Sequence, residues 1–296
     1  MTSPIADRGA FAKLEMAAPI AIRPVMLPGQ RRVQGQVEMD FCRVGARTVL
    51  ARAFATSPTR LLAPRNHGDA AWVFIATLGG GLLDGDRVDV RVDVAEGASG
   101  LLGTQSSTKI HRSPGGCIQR LEANVASRAA LTVVPDPVVC FAGARYTQEI
   151  RITVAPEGSL LLLDGYTCGR SARGERWEFD RYASRTTVLR GRARSIVDAT
   201  RLDPAHGSIA ARMAHFDVVL SLLAIGPRFA SVRAAMLYLS HHSANSSLVV
   251  AASPIADDAV LVRVTADRFE NASKVLRPSF AELAHALGDD PFARKW

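Results

Sequence analysis

From Asp86 to Val94 the chain reads D-R-V-D-V-R-V-D-V, with Val88, Val90, Val92 and Val94 alternating against charged residues. A strict period of two puts one face of a strand in a core and the other in water. The pattern returns at Gln148 to Val154, where Ile150, Ile152 and Val154 alternate with polar residues, at Trp177 and Phe179, and at Val260, Val262 and Val264. Turn residues punctuate these runs at Glu96-Gly97, Pro156-Glu157-Gly158, Asp164-Gly165, Pro254 and Asp257-Asp258. Strands without long helical patterns between them predict an all-β, mostly antiparallel architecture rather than a βαβ series.

Helical spacing occurs at Phe229 to His241 and at Ala266 to Leu287, the latter with Phe269, Ala272, Val275, Leu276, Phe280, Leu283 and Leu287 three or four apart. Residues 266–288 are therefore expected to form a C-terminal helical segment, kinked or split at Pro278. Ile209 to Ile225 fits either a helix or a buried strand. No linker divides the chain, so a single domain over 1–296 is expected, with 1–30 a poorly ordered leader.

Composition narrows the function classes. With 296 residues, 48% hydrophobic and 22% charged, the chain is long enough to bury more than ~70% of its unfolded surface. No apolar run of about 18 residues supports a membrane span. The net charge of +8 comes from 36 Lys+Arg against 28 Asp+Glu, and only four of the basic residues are Lys. The densest basic stretch, Arg181 to Arg194, is spread among Thr, Val and Gly, and aromatics are 6% of the chain. That is not the clustered, aromatic-interleaved footprint of a nucleic-acid binder. Cys42, Cys117, Cys140 and Cys168 form no C-x-x-C pair. They read as reduced thiols, and with no export signal at the start the expected location is cytoplasmic.

Catalytic chemistry leaves little local trace. Gly79-Gly80-Gly81-Leu82-Leu83-Asp84-Gly85-Asp86 is neither G-x-x-x-x-G-K-[ST] nor G-x-G-x-x-G, and a strand follows where those motifs need a helix. No bound nucleotide is expected; the segment is either a tight turn or a functional loop. The seven histidines show no metal-ligand spacing. His111 and Cys117 flank Ser113-Pro114-Gly115-Gly116, a possible hairpin. The run Thr104-Gln105-Ser106-Ser107-Thr108-Lys109 is polar throughout. It is either a solvent-facing edge or, if packed inside, a network lining a water-filled passage or polar interface. Gly169 to Trp177 gathers Arg170, Arg173, Glu175 and Arg176 around small residues.

Four motifs in order give these segments a common meaning. They are Gly80-Gly81-Leu82-Leu83-Asp84-Gly85-Asp86, Thr104-Gln105-Ser106-Ser107-Thr108-Lys109, Pro135-Asp136-Pro137 followed by Phe141 to Tyr146 and Gln148, and Asp164 through Gly169-Arg170-Ser171-Ala172-Arg173-Gly174-Glu175. Over Thr77 to Phe179 the chain resembles the UreD (also called UreH) family of urease accessory proteins. It departs from the family pattern at Asp84, usually a small or uncharged position, and at His111, where Tyr is common. The resemblance implies a non-enzymatic maturation factor with a flattened, β-helix-like or sandwich-like fold and a few helices. It implies binding to a UreF-type accessory protein, through it to a UreG-type GTPase, and to apo-urease, so that Ni²⁺ reaches the urease active site.

On that reading Asp86, Thr104, Gln105, Ser106, Lys109, Asp164, Arg170, Arg173 and Glu175 line or brace a polar internal passage. Asp84, Asp86, His111 and Glu175 are candidates for transient contact with nickel. The competing reading is an all-β carbohydrate-active hydrolase or binding module in which Asp86 and Glu175 are paired carboxylates.

Overall fold

The computed structural model describes residues 34–191, 194–241 and 245–293; the leader expected over 1–30 lies outside them. In chain order the strands are β1 (Gln34–Val44), β2 (Arg47–Ala55), β3 (Thr59–Leu62), β4 (Ala71–Thr77), β5 (Arg87–Val94) and β6 (Ser99–Thr104). The middle of the chain adds β7 (Lys109–Ile110), β8 (Cys117–Val125), β9 (Ala130–Val134), β10 (Val138–Cys140), β11 (Arg145–Val154), β12 (Ser159–Thr167), β13 (Arg181–Arg190) and β14 (Arg194–Leu202). The last part carries α1 (Ile209–Met213), β15 (Val218–Ile225), α2 (Ala230–Tyr238), β16 (Leu248–Ala256), β17 (Ala259–Ala266) and α3 (Phe269–Leu287).

Two sheets form. The first runs β14-β13-β11-β8-β5-β1-β2, the second β16-β17-β15-β12-β9-β6-β4-β3, with β10 and β7 attached beside β12. The fold is mostly β, as the alternation implies, but the sheets are mixed. β1, β5, β8, β11 and β13 are parallel neighbours, as are β4, β6, β9 and β12. Antiparallel pairing is confined to the flanks: β1/β2, β13/β14, β3/β4 and the β12-β15-β17-β16 series.

The expectation of a mostly antiparallel fold is corrected here, and the reason is the destination of the turns. Glu96-Gly97 and Pro156-Glu157-Gly158 carry the chain from a strand of one sheet to a strand of the other, so the third strand lands parallel to the first. The strand in the opposite layer serves as the crossover that parallel pairing needs. Alternation and turn spacing look the same in either arrangement.

The inner faces of the sheets share one core. Val88, Val90, Val92 and Val94 of β5 and Ile150, Ile152 and Val154 of β11 meet Leu102, Leu131, Val133, Leu160 and Leu162 from the second sheet. A second core fills the space under the helices: Val232 and Met236 of α2 and Leu276, Phe280 and Leu283 of α3 cover Leu161, Leu163, Leu220, Leu222, Val260, Val262 and Val264. Each fully buried aliphatic or aromatic side chain contributes about 1.5–3 kcal/mol. The outer face of the first sheet stays wet, with alternating charges in register: Asp89, Arg120, Glu149 and Arg185 in one row, Arg91, Glu122 and Arg151 in the next.

Other expectations are also revised. The α3 helix continues through Pro278, which sits on its exposed side, where water can serve the carbonyl that loses its donor. Trp177 and Phe179 are not in a strand; Trp177 has φ of 58° and both rings anchor an irregular segment ahead of β13. Asp164-Gly165 is not a turn but lies inside β12. A Cβ on Gly165 would stand 2.4 Å from Leu220 Cδ2, so glycine there admits the close approach of β15. Pro254 lies in the edge strand β16 at a register shift, a position where a missing N–H is tolerated. The ambiguous stretch from Ile209 resolves into α1 followed by β15.

Candidate functional site

The glycine-rich segment forms a loop whose backbone closes onto β7. Gly81 takes φ of 145°, and a Cβ there would stand 2.4 Å from the Lys109 carbonyl oxygen. Leu82 N–H donates to that oxygen at 2.8 Å, and His111 N–H donates to Leu82 O at 3.0 Å. The carboxylates brace the loop: Asp86 Oδ2 accepts from Leu83 N–H at 2.8 Å and Asp84 Oδ1 from Gly115 N–H at 2.6 Å. Cys117 Sγ donates to Leu83 O at 2.8 Å, and burial pushes this thiol up to about 11.

The arginine-rich segment converges on Phe141. Arg170 Nε donates to Glu175 Oε2 at 2.9 Å with Nη2 on the same oxygen, while Glu175 Oε1 accepts from Ala142 N–H at 2.8 Å. The Arg170 guanidinium lies 4.3 Å over the Phe141 ring, and His111 meets that ring edge-on at 5.0 Å. The Arg170 hydrogen bond holds the Glu175 carboxyl below its ordinary range. Both carboxylates are engaged in holding loops, Glu175 by Arg170 and the Ala142 N–H and Asp86 by the Leu83 N–H. Arg173, Ser106 and Lys109 are exposed, as is Gln105. Among the described residues no group of three or more His, Cys, Asp and Glu is placed to hold a metal ion, so Asp84, Asp86, His111 and Glu175 do not form a shared site.

A polar row lies between the sheets, where β8, β11 and β13 run in register. Gln119, Gln148 and Ser184 occupy matching positions on their inner face. Tyr146 Oη donates to Gln119 Oε1 at 2.9 Å; Gln148 Nε2 donates to Asp164 Oδ1 at 2.9 Å and to Ser184 Oγ at 3.1 Å. Ser184 Oγ donates to Asp164 Oδ2 at 3.1 Å, and Gly165 N–H donates to Oδ1 at 2.9 Å. Burial raises the Asp164 carboxyl above its ordinary value; these hydrogen bonds oppose the rise and the charge of Asp198 adds to it. In the second sheet Asp164 shares a row with Ser221 and Arg263.

Three hollows lie along this row. A cavity of about 50 Å³ between the sheets is lined by Thr104, Thr108, Gln119, Asp136, Gln148 and Asp164 among apolar neighbours. Asp164 also lines a hollow of about 300 Å³ with Thr186, Asp198, Ser221 and Arg263. At the other end Thr104, which accepts from Asp136 N–H at 2.8 Å, also lines a hollow of about 720 Å³ with Gln105, Arg60, Arg65 and Trp72. Thr104 and Asp164, both named from the sequence, each line two of these hollows. Gln119, Gln148, Ser184, Asp198 and Arg263 were missed. Strand parity holds the signal for Gln148, which falls on the same face as Ile150, Ile152 and Val154.

What the row offers chemically is a string of oxygen donors, with one carboxylate desolvated midway. Oxygen atoms of this kind are hard ligands, without the thiolate or imidazole groups of a tight transition-metal cage. Among the described residues no helix is long and apolar enough to cross a membrane.

Comparison with known proteins gives one consistent result. The family model described as UreD urease accessory protein matches residues 33–296. A urease accessory protein UreD of Sorangium cellulosum is 50% identical over 280 residues, covering 94% of this chain and 90% of that protein. One from Anaeromyxobacter is 41% identical over 286 residues, covering 95% of both chains. Urease accessory protein D of Arabidopsis thaliana is 30% identical over 285 residues, covering 85% of this chain and 97% of that protein.

Proposed function

The chain belongs to the UreD family of urease accessory proteins, and we propose that it serves urease maturation as the scaffold through which Ni²⁺ is handed to the apo-enzyme. Its role is accessory rather than catalytic. In this reading a UreF-type protein binds the chain and brings a UreG-type GTPase, so nucleotide chemistry belongs to a partner. The assembly docks on apo-urease in the cytoplasm, and nickel is cargo rather than a resident cofactor.

The observation that supports the reading is the run of hollows with shared lining: Thr104 lines both the outer hollow and the inner cavity, and Asp164 lines both that cavity and the hollow beyond. A cation crossing a protein interior loses hydration, and closely spaced oxygen atoms replace it step by step. Asp164 supplies a carboxylate that lines both the inner cavity and the hollow beyond it. Gln148 and Ser184 fix its orientation through hydrogen bonds to its two oxygens. Asp86 and Glu175 act differently: they hold the two loops around Phe141 and His111 in shape.

The test is to replace Asp164 with Leu and co-express the variant with urease and the other accessory proteins. Urease activity is expected to fall at least about tenfold, with the variant still co-purifying with its partners. Full activation by a stably expressed D164L protein would contradict the proposal.

A further inference from the structure

Between β14 and β17 an ion pair bridges the sheets. Arg263 Nη2 donates to Asp198 Oδ1 at 2.7 Å. Arg263 lies on the inner face of the second sheet, in the row of Ser221 and Asp164. Asp198 comes from β14, the edge strand of the first sheet, opposite Thr186. Both line the same hollow as Asp164.

The pair is half open to water, with the Arg263 side chain 52% and the Asp198 side chain 24% exposed. A pair so placed contributes little to stability and separates at little cost. Its position matters more than its strength. While paired, the guanidinium repels a divalent cation and occupies the carboxylate that such a cation would seek. Arginine keeps its charge at any physiological pH, so a competing anion can draw the guanidinium away from Asp198.

We propose that Arg263 and Asp198 form a charge gate at this mouth, opened when an acidic side chain of a docked protein takes Arg263 away from Asp198. With the gate open, Asp198 and Asp164 face the ion from two sides, and the hydroxyls of Thr186 and Ser221 line the space they share. This inference rests on the passage reading given above. It adds the element that couples docking to release, so that nickel does not leak where no acceptor is present.

The experiment is Ni²⁺ binding to the purified full-length chain by calorimetry. Arg263→Gln is expected to tighten binding about thirtyfold, the effect of removing one unit charge ~4 Å from a divalent ion at aqueous screening. Arg263→Lys should match the parent chain, and Arg263→Gln with Asp198→Asn should lose the gain. Asp198→Asn alone, which leaves Arg263 facing the hollow unpaired, should weaken binding by a similar factor and serves if R263Q does not fold. Unchanged affinity in R263Q, or in D198N where R263Q does not fold, overturns the gate. Asp164→Leu in the same series separates the two ideas: if D164L abolishes binding while the gate variants change nothing, the passage stands and the gate is wrong. If none of the variants alters Ni²⁺ binding, both are wrong.

Discussion

Gln148 Nε2 donates to Asp164 Oδ1 at 2.9 Å, tying the inner face of one sheet to the inner face of the other. Both side chains occupy positions that strand parity assigns to the core, among Ile150, Ile152, Leu160 and Leu162. Polar groups at such positions cost stability unless paired, and here each is paired with the other and with Ser184.

Asp164 should make the protein less stable as pH rises. Its carboxyl titrates above the ordinary value because burial disfavours the charge. The folded state therefore holds its proton more tightly than the unfolded chain, whose aspartates titrate near ~3.9. The resulting stabilisation is full below that value and is lost as pH rises through the folded value. Asp164→Asn keeps the acceptor for Gln148 and Gly165, so thermal midpoints of D164N and parent should coincide near pH 4 and diverge in favour of D164N toward neutrality. A constant offset across that range would contradict this assignment.

Glu175 has the opposite sign. Arg170 and the Ala142 N–H hold its carboxyl low, so its contribution is present above the unfolded glutamate value of about 4.3 and is lost as pH falls through the lowered folded value. Glu175→Gln should lower the thermal midpoint modestly at pH 7, and the deficit should close in acid. Urease activation by E175Q should fall less than by D164L, because Glu175 shapes a loop and does not line the inner cavity.

Gly81 admits no side chain. With φ of 145° and the Lys109 carbonyl 2.4 Å from where a Cβ would lie, Gly81→Ala should destabilise by about 1–3 kcal/mol, measurable as a lower urea midpoint. Neighbouring Gly79, with nothing within 4 Å of its Cβ position, should tolerate Ala with a smaller loss, set by its φ of 79° alone.

Much of this was legible in the sequence, and the rest was hidden for identifiable reasons. Alternation located β5, β11 and β17, and helical spacing located α3, because burial of one face dictates both periods. Strand direction was not legible: Glu96-Gly97 reverses the chain identically whether the next strand pairs beside it or crosses to the other layer. For β17 the alternation was right, but Val260, Val262 and Val264 face the helices, while the face expected to be wet carries Arg263 into a hollow it shares with Asp164. Asp164-Gly165 read as a turn by composition, although packing against Leu220 places it mid-strand. Thr104 and Asp164 were named through family motifs. Gln119, Ser184 and Asp198 come together only through register between distant strands, which no local pattern encodes.

The most direct measurement of the central claim compares two adjacent residues on opposite faces of β11. Nickel content per urease active site, determined by metal analysis of urease matured with Gln148→Leu or with Glu149→Gln, separates the interior from the outer charged face. Urease from the Q148L background should be largely nickel-free, with the accessory complex intact, and urease from the E149Q background should be fully loaded. Equal nickel loading in the two would contradict passage through the interior of this protein.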